Sequence, residues 1–194
     1  TMLLPLVGRN ISYDLVGPEH GPVVAFSHSL AADLGMWAEQ VPALVAAGYR
    51  ALRIDLRGHG GSHAPPGPYT IDQLADDVIL VIDRLNVKQC HFVGLSIGGM
   101  IGQSLGIRHA ARMKSLLLCD TQACSPADAA TRWGPRIAAV LKANSLEPIA
   151  DETIARWLTI EYKKAHPDRW QQIRDTIAGC TPGGYIGCAQ AIGN

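Results

Sequence analysis

Gly94-Leu95-Ser96-Ile97-Gly98-Gly99 lies between an apolar run, Cys90 to Leu95, and a helical pattern that opens at Ile97. This is the arrangement of a nucleophile elbow, a serine on a sharp turn from strand to helix. A serine hydroxyl is a poor nucleophile unless it stands clear of its neighbours, next to a base and near donors that take up negative charge. The turn forces Ser96 to positive φ and crowds together the residues two before and two after it. Both must be small, and Gly94 and Gly98 meet that demand. The N–H of Ile97 falls in the first turn of the following helix, where the dipole favours an oxyanion. A Gly-x-Ser-x-Gly pentapeptide also occurs as an ordinary glycine-flanked turn; the buried strand before it and the helix after it favour the nucleophile here.

Working outward, the elbow helix runs from Ile97 to about Ala110, and Lys114 to Cys119 reads as one more strand. Upstream, Thr70 and Gln73 form a capping box, after which Ile71, Leu74, Val78, Val81, Ile82 and Leu85 recur at helical spacing along one face. Pro22 to Ser27 is a continuous apolar run, the pattern of a strand covered on both faces, and Tyr49 to Leu56 reads as another buried strand. Between them a helix is predicted from near Val41, with Pro42 in its first turn, to Gly48. Leu3 to Val7 and Ile11 to Val16 read as a hairpin turning through Gly8 to Asn10. Strands alternating with helices of this length mean βαβ units and a mostly parallel sheet.

After Asp120 the pattern changes. Helices are predicted over Pro126 to Ala143, Asp151 to Leu158, Pro167 to Ala178 and Gly184 to Ile192, with no strand among them. Trp133, Ile137, Val140 and Leu141 are expected on one face, as are Ile154, Trp157 and Leu158. The chain therefore divides into a core over residues 1–124 and a helical cap over residues 125–194. Such a cap supplies apolar walls to a substrate pocket, although each of its aromatics serves equally well as cap core.

A chain of 194 residues that is 47% hydrophobic buries one good core, and its formal charge of zero, with Lys and Arg scattered singly, implies no nucleic-acid or membrane surface. The apolar runs are too short to span a bilayer and no leader pattern opens the sequence, so the cytoplasm is the expected location. Cys90, Cys119, Cys124, Cys180 and Cys188 are odd in number and lack ligand spacing; they read as free thiols, with no metal and no cofactor expected.

Several stretches together resemble the α/β-hydrolases, and among them the 3-oxoadipate enol-lactonases and related small esterases. They are His28-Ser29-Leu30, Met36-Trp37 with Gln40, Asp55 to Ser62, Gly67 to Ile71, the elbow, and Gly184 to Cys188. The resemblance implies a mostly parallel sheet flanked by helices with a helical cap after the sixth strand. It makes Ser96 the nucleophile and the backbone N–H groups of Leu30 and Ile97 the oxyanion hole, and it places His28, Trp37 and Trp133 at the pocket. It implies hydrolysis of a small-molecule carboxylic ester or lactone through an acyl-enzyme. Perhydrolase chemistry and hydrolysis of a C–C bond use the same elbow.

The chain departs from the resemblance in two ways. Enol-lactonases tend to show Asn-Ser-Leu-Gly where this chain has His28-Ser29-Leu30-Ala31. More seriously, the triad acid and histidine of the family follow the cap, one after each of two further strands, and this sequence stops at Asn194. Of its histidines, His20, His28, His59, His63, His91 and His109 have ordinary roles in turns, strands or helix ends. His166, before Pro167, would have to reach back from the cap to serve as the base. Asp120 is a reserve candidate for the acid, with capping of the following turn as its ordinary role. Stopping here leaves Lys114 to Cys119 as an open apolar edge. The expectation is that the last strands and helices come from a second chain, a swapped segment or further sequence. Were the chain complete as given, a non-catalytic binding protein on the same fold would be the better reading.

Overall fold

Val23–Ser27 is buried along its whole length because it lies inside a six-stranded sheet of order β1-β2-β4-β3-β5-β6. The strands are β1 (Met2–Leu6), β2 (Arg9–Val16), β3 (Val23–Ser27), β4 (Arg50–Ile54), β5 (Cys90–Leu95) and β6 (Met113–Cys119). The computed structural model describes residues 1–193; Asn194, the last residue of the helical segment delimited above, lies outside them. β1 and β2 form the expected hairpin, and β2 is antiparallel to β4, whereas β4, β3, β5 and β6 are mutually parallel. From β3 the chain crosses to β4 on one side, and from β4 it crosses back past β3 to β5 on the other. The C-terminal ends of β3 and β5 thus flank the point where strand order reverses, which is where open α/β sheets place their ligands.

Alternation along β3 gives each sheet face its own layer. Val24 and Phe26 pack with Trp37 and with Val41 and Leu44 of α1 (Val41–Ala46). Val23 and Ala25 join the main core with α2 (Ile71–Arg84) and α3 (Ile97–Arg108). The capping box at the start of α2 is formed, with the Thr70 hydroxyl accepting from Gln73 N and the Gln73 side chain accepting from Thr70 N, each at 3.1 Å. Leu74, Val78, Val81 and Ile82 are the buried stripe of that helix.

β6 pairs with β5 alone among the described strands. Its Leu116 and Leu118 lie against Gly106 and Gly102 of α3, while Leu117, pointing the other way, is 59% exposed. The open edge read from the sequence is therefore present.

Beyond β6 the described residues form five helices where four are expected from the sequence: α4 (Ala129–Ala143), α5 (Glu147–Trp157), α6 (Ile160–Ala165), α7 (Pro167–Gly179) and α8 (Pro182–Gly193). The additional one, α6, starts because the Thr159 hydroxyl accepts from Tyr162 N at 3.1 Å, and it is too short to show an apolar period. Leu141 is exposed, not on the inner face of α4 with Val140. α8 docks on the loop after β4. A Cβ at Gly184 would fall 2.5 Å from Gly58 Cα and one at Gly187 would fall 2.5 Å from the Tyr69 ring, so both positions need glycine for close approach. The Thr181 hydroxyl donates to Gly58 O at 2.8 Å at the same contact. No helix of the described residues is long and apolar enough to cross a membrane.

Candidate active site

Ser96 sits between β5 and α3 at φ 57° and ψ −116°, a conformation that costs a non-glycine residue about 1–3 kcal/mol. Its backbone is held on both sides. The N–H donates to Cys119 O at 2.9 Å, and the C=O accepts from Gly99 N at 2.9 Å, Met100 N at 3.1 Å and the Thr121 hydroxyl at 2.8 Å. The two small residues are required by contact: a Cβ at Gly94 would lie 2.1 Å from Gly98 O, and one at Gly98 would lie 2.3 Å from Ser27 O. The Ser96 side chain makes no hydrogen bond among the described residues.

Across from the serine, the segment after β3 makes a tight turn. Ala32 N donates to Ser29 O at 3.1 Å, with Ala31 at φ 65°. Leu30 N–H and Ile97 N–H have no acceptor among the described residues. They are thus two unengaged donors on the loops that meet at the serine, as an oxyanion site requires.

Behind this turn lie two fully buried imidazoles, His28 and His59, with ring centroids 5.3 Å apart. His28 Nδ1 is 2.8 Å from Ser29 O, and its Nε2 accepts from Leu56 N at 3.0 Å. His59 Nδ1 is 2.9 Å from Arg57 O, and its Nε2 accepts from Ala31 N at 3.0 Å. A nitrogen facing a carbonyl must carry the proton and one facing an N–H must not, so both rings are neutral with the proton on Nδ1. Burial pushes His28 down to about 4. It pushes His59 down to about 3, with neighbouring His28 adding to the effect. Asp55 Oδ1 lies 3.9 Å from His28 Nε2, but that nitrogen is engaged as an acceptor and no ion pair forms. The Asp55 carboxylate instead accepts from Leu34 N at 2.7 Å and Gly61 N at 3.0 Å, while burial raises its pKa.

Trp37 and Trp133 line a cavity of about 750 Å³ that opens onto Ser96 and Leu30. His28 does not line it. Its ring turns inward because Leu56 N and Ser29 O are its partners, which corrects the placement read from the sequence. Asp120 borders the cavity beside Ser96 at φ 43°, exposed, and its carboxylate makes no hydrogen bond among the described residues; it does not cap the following turn. His166 is exposed and packs against Tyr162 at 4.8 Å between ring centroids. None of the described imidazoles hydrogen-bonds to Ser96. Among the described residues no three His, Cys, Asp or Glu side chains converge as metal ligands.

Sequence reading missed the cationic part of the wall. Arg136, Arg156 and Arg169 also line the cavity. Arg136 lies over the Trp133 ring at 5.5 Å, and Arg136 and Arg156 share the carboxylate of Glu152, at 3.6 and 2.5 Å. The signal was available in part, since Arg136 follows Trp133 by one helical turn and so shares its face.

A family model described as the alpha/beta hydrolase fold matches residues 22–157. The chain belongs to the α/β-hydrolases. 3-oxoadipate enol-lactonase 2 of Acinetobacter baylyi is 34% identical over 182 residues, which are 94% of this chain and 67% of that enzyme. The crystal structure of the enol-lactonase from Burkholderia xenovorans LB400 superposes with a TM-score of 0.91 at 37% identity, over 98% of this chain and 73% of that one. A putative carbamate hydrolase, RutD of Variovorax paradoxus, is 33% identical over 66% of this chain and 48% of its own length. In this α/β-hydrolase the matched region runs from the strand before the Leu30 turn to the end of α5, and so contains Ser96 and most of the cavity wall.

Proposed function

We propose that the protein hydrolyses carboxylic esters or lactones, with Ser96 as the nucleophile. The observation that carries this is the strained Ser96, with an unengaged hydroxyl, lining one cavity with Leu30, while the N–H groups of Leu30 and Ile97 have no acceptor among the described residues. Ser96 Oγ adds to the acyl carbon, and its proton passes to a base. The carbonyl π electrons move to oxygen, which the N–H groups of Leu30 and Ile97 stabilise. Collapse of the tetrahedral intermediate breaks the acyl C–O bond, and the leaving alkoxide takes up the proton. Water then repeats the sequence on the acyl-enzyme, releasing the acid and free Ser96. With a lactone, the freed hydroxyl stays in the same molecule as the acyl group, and one product acid leaves Ser96 in that second step.

The base, in this reading, is an imidazole from polypeptide outside residues 1–193, which adds strands at the open β6 edge. Two facts support it: no described imidazole bonds to Ser96, and the matched enol-lactonases are longer than this chain. The helices after β6 serve as the cap. Arg136 and Arg156, which share the Glu152 carboxylate, are the cations placed to meet an anionic substituent on the substrate, on a wall that also carries Asp33, Glu39 and Asp120.

The test is product analysis on the protein in its complete natural form, with an aryl acetate and an enol-lactone in ¹⁸O-labelled water. The expected result is one acid per phenol from the aryl acetate, with label in the acid's carboxyl group and none in the phenol, and a single oxo acid from the enol-lactone. Label in the phenol, or no turnover of either compound above the solvent rate, would contradict this reading.

A further inference from the structure

We infer that His28 and His59 are positioning residues that aim the Leu30 N–H at the reacting carbonyl oxygen by pinning the two peptide planes on either side of Leu30. The inference rests on Ser96 acting as the nucleophile and extends that reading to residues that never touch substrate.

The peptide between Ser29 and Leu30 carries both the Ser29 carbonyl and the Leu30 donor. In a planar trans peptide these point in opposite directions. His28 Nδ1–H donates to Ser29 O at 2.8 Å from behind the turn, so the Leu30 N–H of the same plane is turned away from the histidines. The next peptide, between Leu30 and Ala31, is fixed from its other end, because Ala31 N–H donates to His59 Nε2 at 3.0 Å. With both planes set, Leu30 has little freedom left at φ and ψ, and Ala31 is kept at φ 65°.

Each ring is anchored through its second nitrogen to the segment after β4. His28 Nε2 takes the Leu56 N–H at 3.0 Å, and His59 Nδ1 is 2.9 Å from Arg57 O. Each imidazole thus bridges two backbone segments with one donor and one acceptor. That requires a neutral ring in one tautomer, and full burial of both rings enforces neutrality. Simple core filling would need the ring volume but neither nitrogen.

The test compares four variants of the complete protein on an aryl acetate. His59→Leu and His28→Leu keep volume and lose the hydrogen bonds. His59→Gln restores an acceptor near Nε2, and His28→Asn restores a donor near Nδ1. Loss of one aimed oxyanion donor typically costs about a hundredfold in kcat. The leucine variants are expected to lose about 10- to 100-fold in kcat with KM within about twofold, and the glutamine and asparagine variants to recover most of it. Ile101→Val, in the core of α3, controls for destabilisation alone and should leave kcat unchanged. If the leucine variants do not fold, the polar variants are read together with ¹⁵N NMR of the wild type. There a scalar coupling between Ala31 N and His59 Nε2, and a protonated Nδ1 on both rings, are expected. Folded leucine variants with wild-type kcat, a loss confined to KM, or absence of the coupling would overturn the inference. Wild type no faster than Ser96→Ala would instead show that the Ser96 reading had failed, and the inference would fall with it.

Discussion

Ser96→Ala is expected to lower kcat/KM on an aryl acetate about ten-thousandfold or more, equivalent to at least about 5 kcal/mol of transition-state stabilisation. The bond from Oγ to the acyl carbon exists only on the reaction path, so the loss should appear in kcat and not in KM. Stability should scarcely change. The side chain makes no hydrogen bond among the described residues, and the bonds that hold the strained backbone come from Cys119, Gly99, Met100 and Thr121. A thermal melt measured beside the kinetics separates the two effects. A variant that keeps more than about one per cent of wild-type kcat/KM would remove Ser96 from the mechanism.

Acidification is expected to unfold the protein by way of the same two histidines that shape the turn. In the unfolded chain each imidazole takes up a proton near pH 6.5, whereas in the folded protein burial delays this to about 4 for His28 and about 3 for His59. Below pH 6.5 the unfolded state therefore binds protons that the folded state refuses, and stability falls as pH falls. The loss begins near pH 6.5 and ends as each folded value is passed. At pH 4 it amounts to about 3 kcal/mol for each ring. Asp55 works in the opposite sense, since its raised pKa lets the folded state take up a proton more readily than the unfolded chain, and it offsets part of the loss. Asp76 and Asp151, lowered by Arg108 and Arg174, act in the same direction as the histidines but are exposed and screened. Urea unfolding between pH 7 and pH 4 measures the slope, and His59→Gln should remove about half of it. A midpoint unchanged over this range would mean that the rings are not held neutral by burial.

What could be read from the sequence was local. The elbow announces itself because Gly94, Ser96 and Gly98 crowd one another across a single turn. The start of α2 does so because Thr70 and Gln73 bond to each other's backbone. β3 is legible as an apolar run because a parallel strand inside the sheet is covered on both faces.

What was misread depended on partners distant in sequence. His28 adjoins Ser29 and Leu30, which points to the pocket, yet its orientation is set by Leu56 in another loop. Nothing near His59 in the sequence shows that its acceptor nitrogen holds Ala31. The Gly184 to Cys188 stretch was recognisable, but the reason for its glycines lies in contact with Gly58 and Tyr69. Arg136 and Arg156 come together only when α4 packs against α5. α6 was lost because its six residues are too few to display an apolar period.

The central claim, that the constrained serine is chemically activated, is tested most directly by exposing the complete protein to a fluorophosphonate and mapping the adduct by peptide mass spectrometry. The account predicts a single rapid modification on the peptide carrying Ser96, absent in Ser96→Ala. Adduct formation elsewhere, or a Ser96 that labels no faster than free serine, would contradict it.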